Sequence, residues 1–176
     1  MRKIVLTISI LGAMILANAV SAAAPANFSG TWTLDKSKSQ GLDQRMQNAE
    51  SIQWVITQND KQISIESKVT GGQNAGGGGG GMRGGGMGGP RSYNLDGKEI
   101  TTEANGGTST TKAAWSSDGQ TLELSSTRAG NFNGNEFKAT TNDKLQLSGG
   151  GKVLTVKRTG ESPRGPVDAT LVFNKQ

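Results

Sequence analysis

Two arginines stand where strand alternation turns them toward an interior. In "LELSSTR", Leu122, Leu124, Ser126 and Arg128 fall on one parity, and in "LTVKR" so do Leu154, Val156 and Arg158. A guanidinium turned inward is costly without a partner, so each needs a carboxylate, carbonyls, an aromatic face or an anionic ligand. Arg grips carboxylates in a bidentate fork, so Arg128 is the candidate residue for the head group of a fatty-acid-like or other small acid. The alternative for Arg128 is a surface position near a strand end, where alternation fails. Trp54, Tyr93 and Trp115 are candidate walls of the same ligand site, the alternative for each being plain core.

Other chemistry is closed off by composition. The chain has no His and no Cys. The commonest general base and the thiol nucleophile are therefore missing, as are zinc–thiolate sites and haem ligation by either residue. A hydrolase would need paired carboxylates or a Ser-Lys arrangement. Glu66, Glu103 and Glu123 fall on the polar parity, and Asp60, Asp96, Asp118 and Asp143 read as turn residues. The expectation is a protein that is not an enzyme, with no catalytic residues, no cofactor and no metal site. The 19 Lys+Arg and 14 Asp+Glu are scattered, so no nucleic-acid patch is expected.

The elements that would position these residues are strands. Period-two alternation recurs along the chain. "FSGTWTLD" places Phe28, Gly30, Trp32 and Leu34 on one face, and "SIQWVITQ" does the same for Ile52, Trp54 and Ile56. "QISIESKV", "RSYNL", "TKAAWS", "NEFKATT", "DKLQLS" and "ATLVFNK" follow the same rule. Asp96-Gly97, Asp118-Gly119 and Gly149 to Gly151 are hairpin-turn sequences. The fold class is all-β: a single antiparallel up-and-down β-barrel of about 8–10 strands, because a meander that closes has no exposed edge. Asp35 to Glu50 breaks the pattern and holds either a short helix around Leu42 to Asn48 or a polar connection. The small side chains Thr102, Ala104, Ser109, Thr111 and Ala113 leave room for water or a small ligand, or else mark a weak, partly exposed sheet.

Arg2 and Lys3, the uncharged run Ile4 to Ala17, and the small residues of "VSAAA" read as a cleaved signal peptide spanning residues 1–23, with an uncleaved anchor as the alternative. The mature domain, 27–176, is then periplasmic or secreted, with no stable membrane insertion. Residues 71–89 contain 13 Gly and read as a disordered Gly-rich loop between two strands. With Arg83 alone in the run and no aromatic, that loop is not read as a nucleic-acid segment.

Gly30-Thr31-Trp32, at the start of the first strand, resembles the Gly-x-Trp signature of the lipocalin and calycin group. With "DKSKS" and the late "LTVKRT", the chain is similar to bacterial exported lipocalin-like β-barrel proteins of unassigned function. The resemblance implies a late-strand Arg packed across the Trp ring, which would make Gly30, Trp32 and Arg158 the residues of barrel closure. The chain departs from typical lipocalins in lacking a disulfide, in its Gly-rich insertion, and in reading as about ten strands rather than eight. The function expected is an exported small-molecule-binding barrel for a small hydrophobic or amphipathic acid. The alternative is a non-catalytic envelope structural or protein-interaction module with a filled barrel.

Overall fold

A computed structural model describes residues 24–71, 90–104, 107–132 and 135–176. The expected signal peptide, residues 1–23, and all of the Gly-rich stretch except Gly71 lie outside the described residues.

The alternating segments form ten strands: β1 (Gly30–Leu34), β2 (Ser51–Gln58), β3 (Gln62–Thr70), β4 (Arg91–Asn94), β5 (Ile100–Ala104), β6 (Gly107–Trp115), β7 (Thr121–Phe132), β8 (Asn135–Ser148), β9 (Val153–Ser162) and β10 (Gly165–Lys175). One short helix, α1 (Gln44–Asn48), follows β1. The Asp43 carboxylate caps it by accepting from the Met46 N–H at 2.8 Å. Gly97 and Gly119 take φ of +80° and +68°, the left-handed conformation that the Asp-Gly turns require.

Every pairing is antiparallel, and the sheet order is β4-β3-β2-β1-β10-β9-β8-β7-β6-β5. The first strand therefore pairs with the last, Trp32 opposite Lys175. The discontinuity falls between β4 and β5, in the middle of the chain. It is bridged by the Thr111 hydroxyl of β6, which donates to the Ser92 carbonyl of β4 at 2.7 Å. The barrel is nearly closed, and its two free edges face each other.

Alternating strand direction sorts the connections between two ends. The turns between β2 and β3, β4 and β5, β6 and β7, and β8 and β9 gather at one end. The N-terminal segment crosses that end as a strap. Ala26 N–H donates to the Gly119 carbonyl at 2.9 Å. Gln58 clamps the strap from below, accepting from Phe28 N–H at 2.9 Å and donating to the Ala26 carbonyl at 3.0 Å. Phe28 is fully buried and stacks on Trp115 at 6.0 Å. The core fills this closed half: Trp32, Phe28, Phe173, Ile63, Leu122, Leu145, Leu154, Leu171 and Val156 are each under 2% exposed. Burial of such a side chain contributes about 1.5–3 kcal/mol, which makes this half the stable one.

Two expectations are corrected here. Asp143 is not in a turn: β8 runs unbroken through it, and it is buried. Asn and Asp are turn-formers by local chemistry, but Asp143 lies opposite Arg158 on β9, and that pairing holds it in the strand. Thr102 is exposed rather than inward, because β5 is a free-edge strand whose faces are open.

Candidate functional site

Followed from the closed end toward the mouth, the inward residues change character. On β7, Leu122 and Leu124 give way to Ser126 and Arg128; on β8, Leu145 gives way to Asp143 and Thr141; on β9, Val156 gives way to Arg158. β6 adds Thr111, and β4 adds Tyr93 and Arg91. The inside of the barrel is thus apolar below and polar above.

A charged layer crosses the barrel at mid-height. Arg158 donates from Nε to Asp143 Oδ1 and from an Nη to Asp143 Oδ2, both at 2.7 Å. The side chains are 16% and 8% exposed. The same guanidinium lies 5.6 Å from the Trp54 ring centre on β2, three strands away, and Trp54 packs on Phe173 at 4.7 Å. Burial by itself would lower the Arg158 pKa. The hydrogen bonds and charge of Asp143 outweigh it and hold the group above its ordinary value. Burial also raises the Tyr93 phenol above its usual range, while the charge of Arg91 pulls the other way.

The expected closure contact is made by a different cation. Lys175, not Arg158, covers Trp32, its Nζ 5.2 Å from the ring centre. Lys175 is the cross-strand partner of Trp32 at the closed end, whereas Arg158 lies opposite Asp143, toward the mouth. Gly30 keeps a closure role of its own. At φ +141°, an added Cβ would lie 2.7 Å from Lys175 Cε, so the glycine clears the path of the lysine stem to the indole. The Trp32 indole N–H donates to the Phe28 carbonyl at 2.9 Å, joining strap to barrel.

The four candidate ligand residues are not all brought together. Trp54 and Tyr93 belong to the middle layer, buried against the ion pair. Arg128 stands above it, half-buried, with its guanidinium 5.9 Å from the Phe137 ring centre. Trp115 lies at the far end of β6. Arg128 is level with Ser109 and Trp115 with Leu122, six residues along the strand, or about 20 Å. Its ring packs on the strap instead.

Sequence reasoning missed Asp143, Lys175 and Arg91. Counting back by twos from Leu147 and Leu145 reaches Asp143, and counting back from Tyr93 reaches Arg91, so strand parity carried both signals. Among the described residues no carboxylate forms an ion pair with Arg128 or Arg91. Burial first, and then the charge of Arg91, hold the Arg128 pKa below its ordinary value. Also among the described residues, no group of three or more acidic side chains is placed to hold a metal ion, and no helix is long and apolar enough to cross a membrane. A groove of about 380 Å³ lies on the outer face of β6, β7 and β8, where Lys112, Glu123 and Lys144 point to solvent.

The fold is a nearly closed antiparallel up-and-down barrel of ten strands. A crystal structure of the zebrafish ileal bile acid-binding protein complexed with cholic acid matches it with a TM-score of 0.51, covering 85% of this chain and 98% of that one at 13% sequence identity. At that identity the likeness is one of fold. No family model matches the chain, and no curated protein matches it by sequence.

Proposed function

We propose that the chain is an exported small-molecule-binding barrel whose ligand is a partly apolar acid, held with its anionic group toward the mouth. The observation that carries this reading is Arg128: inward by parity, half-buried, above an apolar core, and with no carboxylate paired to it among the described residues. An anion is what such a guanidinium lacks. The zebrafish protein that shares the fold is complexed with cholic acid, an amphipathic acid, which supports the same ligand class for this chain. Trp54 and Tyr93 supply the floor on which the apolar part rests. Residues 1–23 are the export signal in this reading, so the mature protein works in the periplasm or outside the cell.

Native mass spectrometry on protein purified gently from its own source tests the reading. A stoichiometric extra mass that leaves on denaturation supports it, and an N-terminus beginning after Ala22 or Ala23 supports export. Replacing Arg128 with Gln removes one charge-assisted contact, about 1.5–3 kcal/mol, so binding of the acid should weaken roughly tenfold or more with the fold intact. A melting point lowered by many degrees with binding unchanged would make Arg128 structural.

A second reading has one observation in its favour. The Asp143–Arg158 pair and Trp54 occupy the middle of the barrel, which suits a filled barrel that meets a protein partner through its surface. A bare protein mass that persists after lipid and small-acid extracts are added back would favour it.

A further inference from the structure

Two cations stand near the mouth on the two sides of the discontinuity: Arg91 on the edge strand β4, and Arg128 on β7, two strands in from the other edge. Arg91 opens β4 two residues before the buried Tyr93, so alternation gives it the same inward parity, and its own position at the mouth leaves it exposed. Across the gap, Thr111 reaches the Ser92 carbonyl, which fixes the level of β6 against β4. Two residues from Thr111 toward the mouth is Ser109, whose partner on β7 is Arg128. Arg91 is one residue from Ser92 in the same direction. Both side chains thus turn inward near the mouth, on strands with the break, β5 and β6 between them. They lie close enough for the Arg91 charge to depress the Arg128 pKa, second only to burial, and no carboxylate among the described residues pairs with either. Like charges held near one another repel, and an anion placed between them converts that repulsion into attraction on both sides.

We propose that Arg91 is the second head-group residue, and that a ligand anion with at least two oxygens, a carboxylate, sulfonate or phosphate, bridges Arg91 and Arg128 and so links β4 to β7 inside the mouth, across the break, when it binds. This rests on the reading of the chain as a binding protein for acids, and adds that binding links the two sides of the break. In the free protein the break is held by the Thr111–Ser92 hydrogen bond, with a charge repulsion beside it; in the complex the ligand spans it.

The test uses the mature chain and two fluorescent probes of similar apolar body, 1-anilinonaphthalene-8-sulfonate and the neutral N-phenyl-1-naphthylamine. R91Q and R128Q should each weaken the sulfonate probe about tenfold. The double variant should lose less than the product of the two, because either arginine alone no longer bridges. Affinity for the neutral probe should stay within about twofold. R91Q should leave the melting point of the free protein unchanged or raise it, and the sulfonate should slow hydrogen exchange of the amides of residues 91–94 in the wild type only. Sulfonate binding that falls in R128Q but not in R91Q would overturn the bridge while leaving the acid-binding reading in place. Equal binding of both probes by every variant would overturn both, as would failure of the wild type to bind either probe. Inorganic phosphate that displaces the sulfonate probe but not the neutral one would support a head group recognised on its own; displacement by long-chain carboxylates alone would support an amphipathic acid.

Discussion

Asp143 and Arg158 are cross-strand partners that meet in two parallel 2.7 Å hydrogen bonds inside the barrel, with the Trp54 ring over the guanidinium. Removing one member leaves the other buried and uncompensated, which for buried pairs costs about 3–5 kcal/mol. Asp143→Ala should therefore lower the free energy of unfolding in urea by about 3 kcal/mol. Asp143→Leu combined with Arg158→Met should recover most of that loss, because two apolar groups leave no stranded charge. An unfolding midpoint for Asp143→Ala equal to that of the wild type would mean that the pair does not hold β8 to β9.

Trp32 and Lys175 make unequal contributions to the closed end. Trp32 is fully buried and hydrogen-bonded through its indole, so Trp32→Ala should cost about 3–5 kcal/mol. Lys175 is exposed, and its contact with the ring is worth about 0.5–1 kcal/mol, so Lys175→Ala should move the melting point by only a few degrees. Thermal unfolding of the two variants side by side checks the ranking; equal losses would contradict it.

The strap should behave as part of the core. Phe28 precedes the first strand, yet it is completely buried and stacked on Trp115. Phe28→Ala should destabilise by about 3 kcal/mol and raise the Trp115 fluorescence response to acrylamide quenching. A strap that is merely laid on the barrel would give a loss below about 0.5 kcal/mol, the scale of an ordinary surface change.

Acid should loosen the seam between β1 and β10. The Asp35 carboxylate accepts from the Ser37 hydroxyl at 2.5 Å and N–H at 3.1 Å, pairs with Lys38 at 3.1 Å, and accepts from the Asn174 amide at 3.2 Å. The Ser37 hydrogen bond first, then Lys38 and Asn174, hold its pKa well below the ordinary 3.8. A carboxylate whose folded pKa is depressed stabilises the fold above its unfolded value and loses that contribution as pH falls below it. Wild type should thus be more stable than Asp35→Asn at neutral pH, and the gap should begin to close below about pH 4 and narrow steadily toward the depressed folded pKa. Asp96 and Asp118 are depressed as well, chiefly by the Lys98 backbone N–H and the Ser116 hydroxyl, and they add to the same slope. Urea titrations of both proteins between pH 2 and 7 measure it; a gap that widens on acidification would have the wrong sign.

Much of the architecture was legible along the chain because its causes are local. Alternation of Leu122 with Leu124 or Leu154 with Val156 is a property of residues two apart, and an Asp-Gly turn needs only its own backbone. The same parity turned Arg128 and Arg158 inward. The absence of His and Cys removes most catalytic chemistry on composition alone. Which cation meets which ring was decided elsewhere. Arg158 passes Trp32 by and reaches Trp54, and Lys175 takes its place, because the first strand closes on the last with Trp32 opposite Lys175. Asp143 reads as a turn locally and is a strand residue only because Arg158 faces it from β9. The break in the sheet lies between β4 and β5, and the strand order around it brings Arg91 of β4 and Arg128 of β7 to the same mouth. Those pairings depend on the register between strands distant in sequence, and a residue's own neighbours carry no record of that register; closing the barrel fixes it.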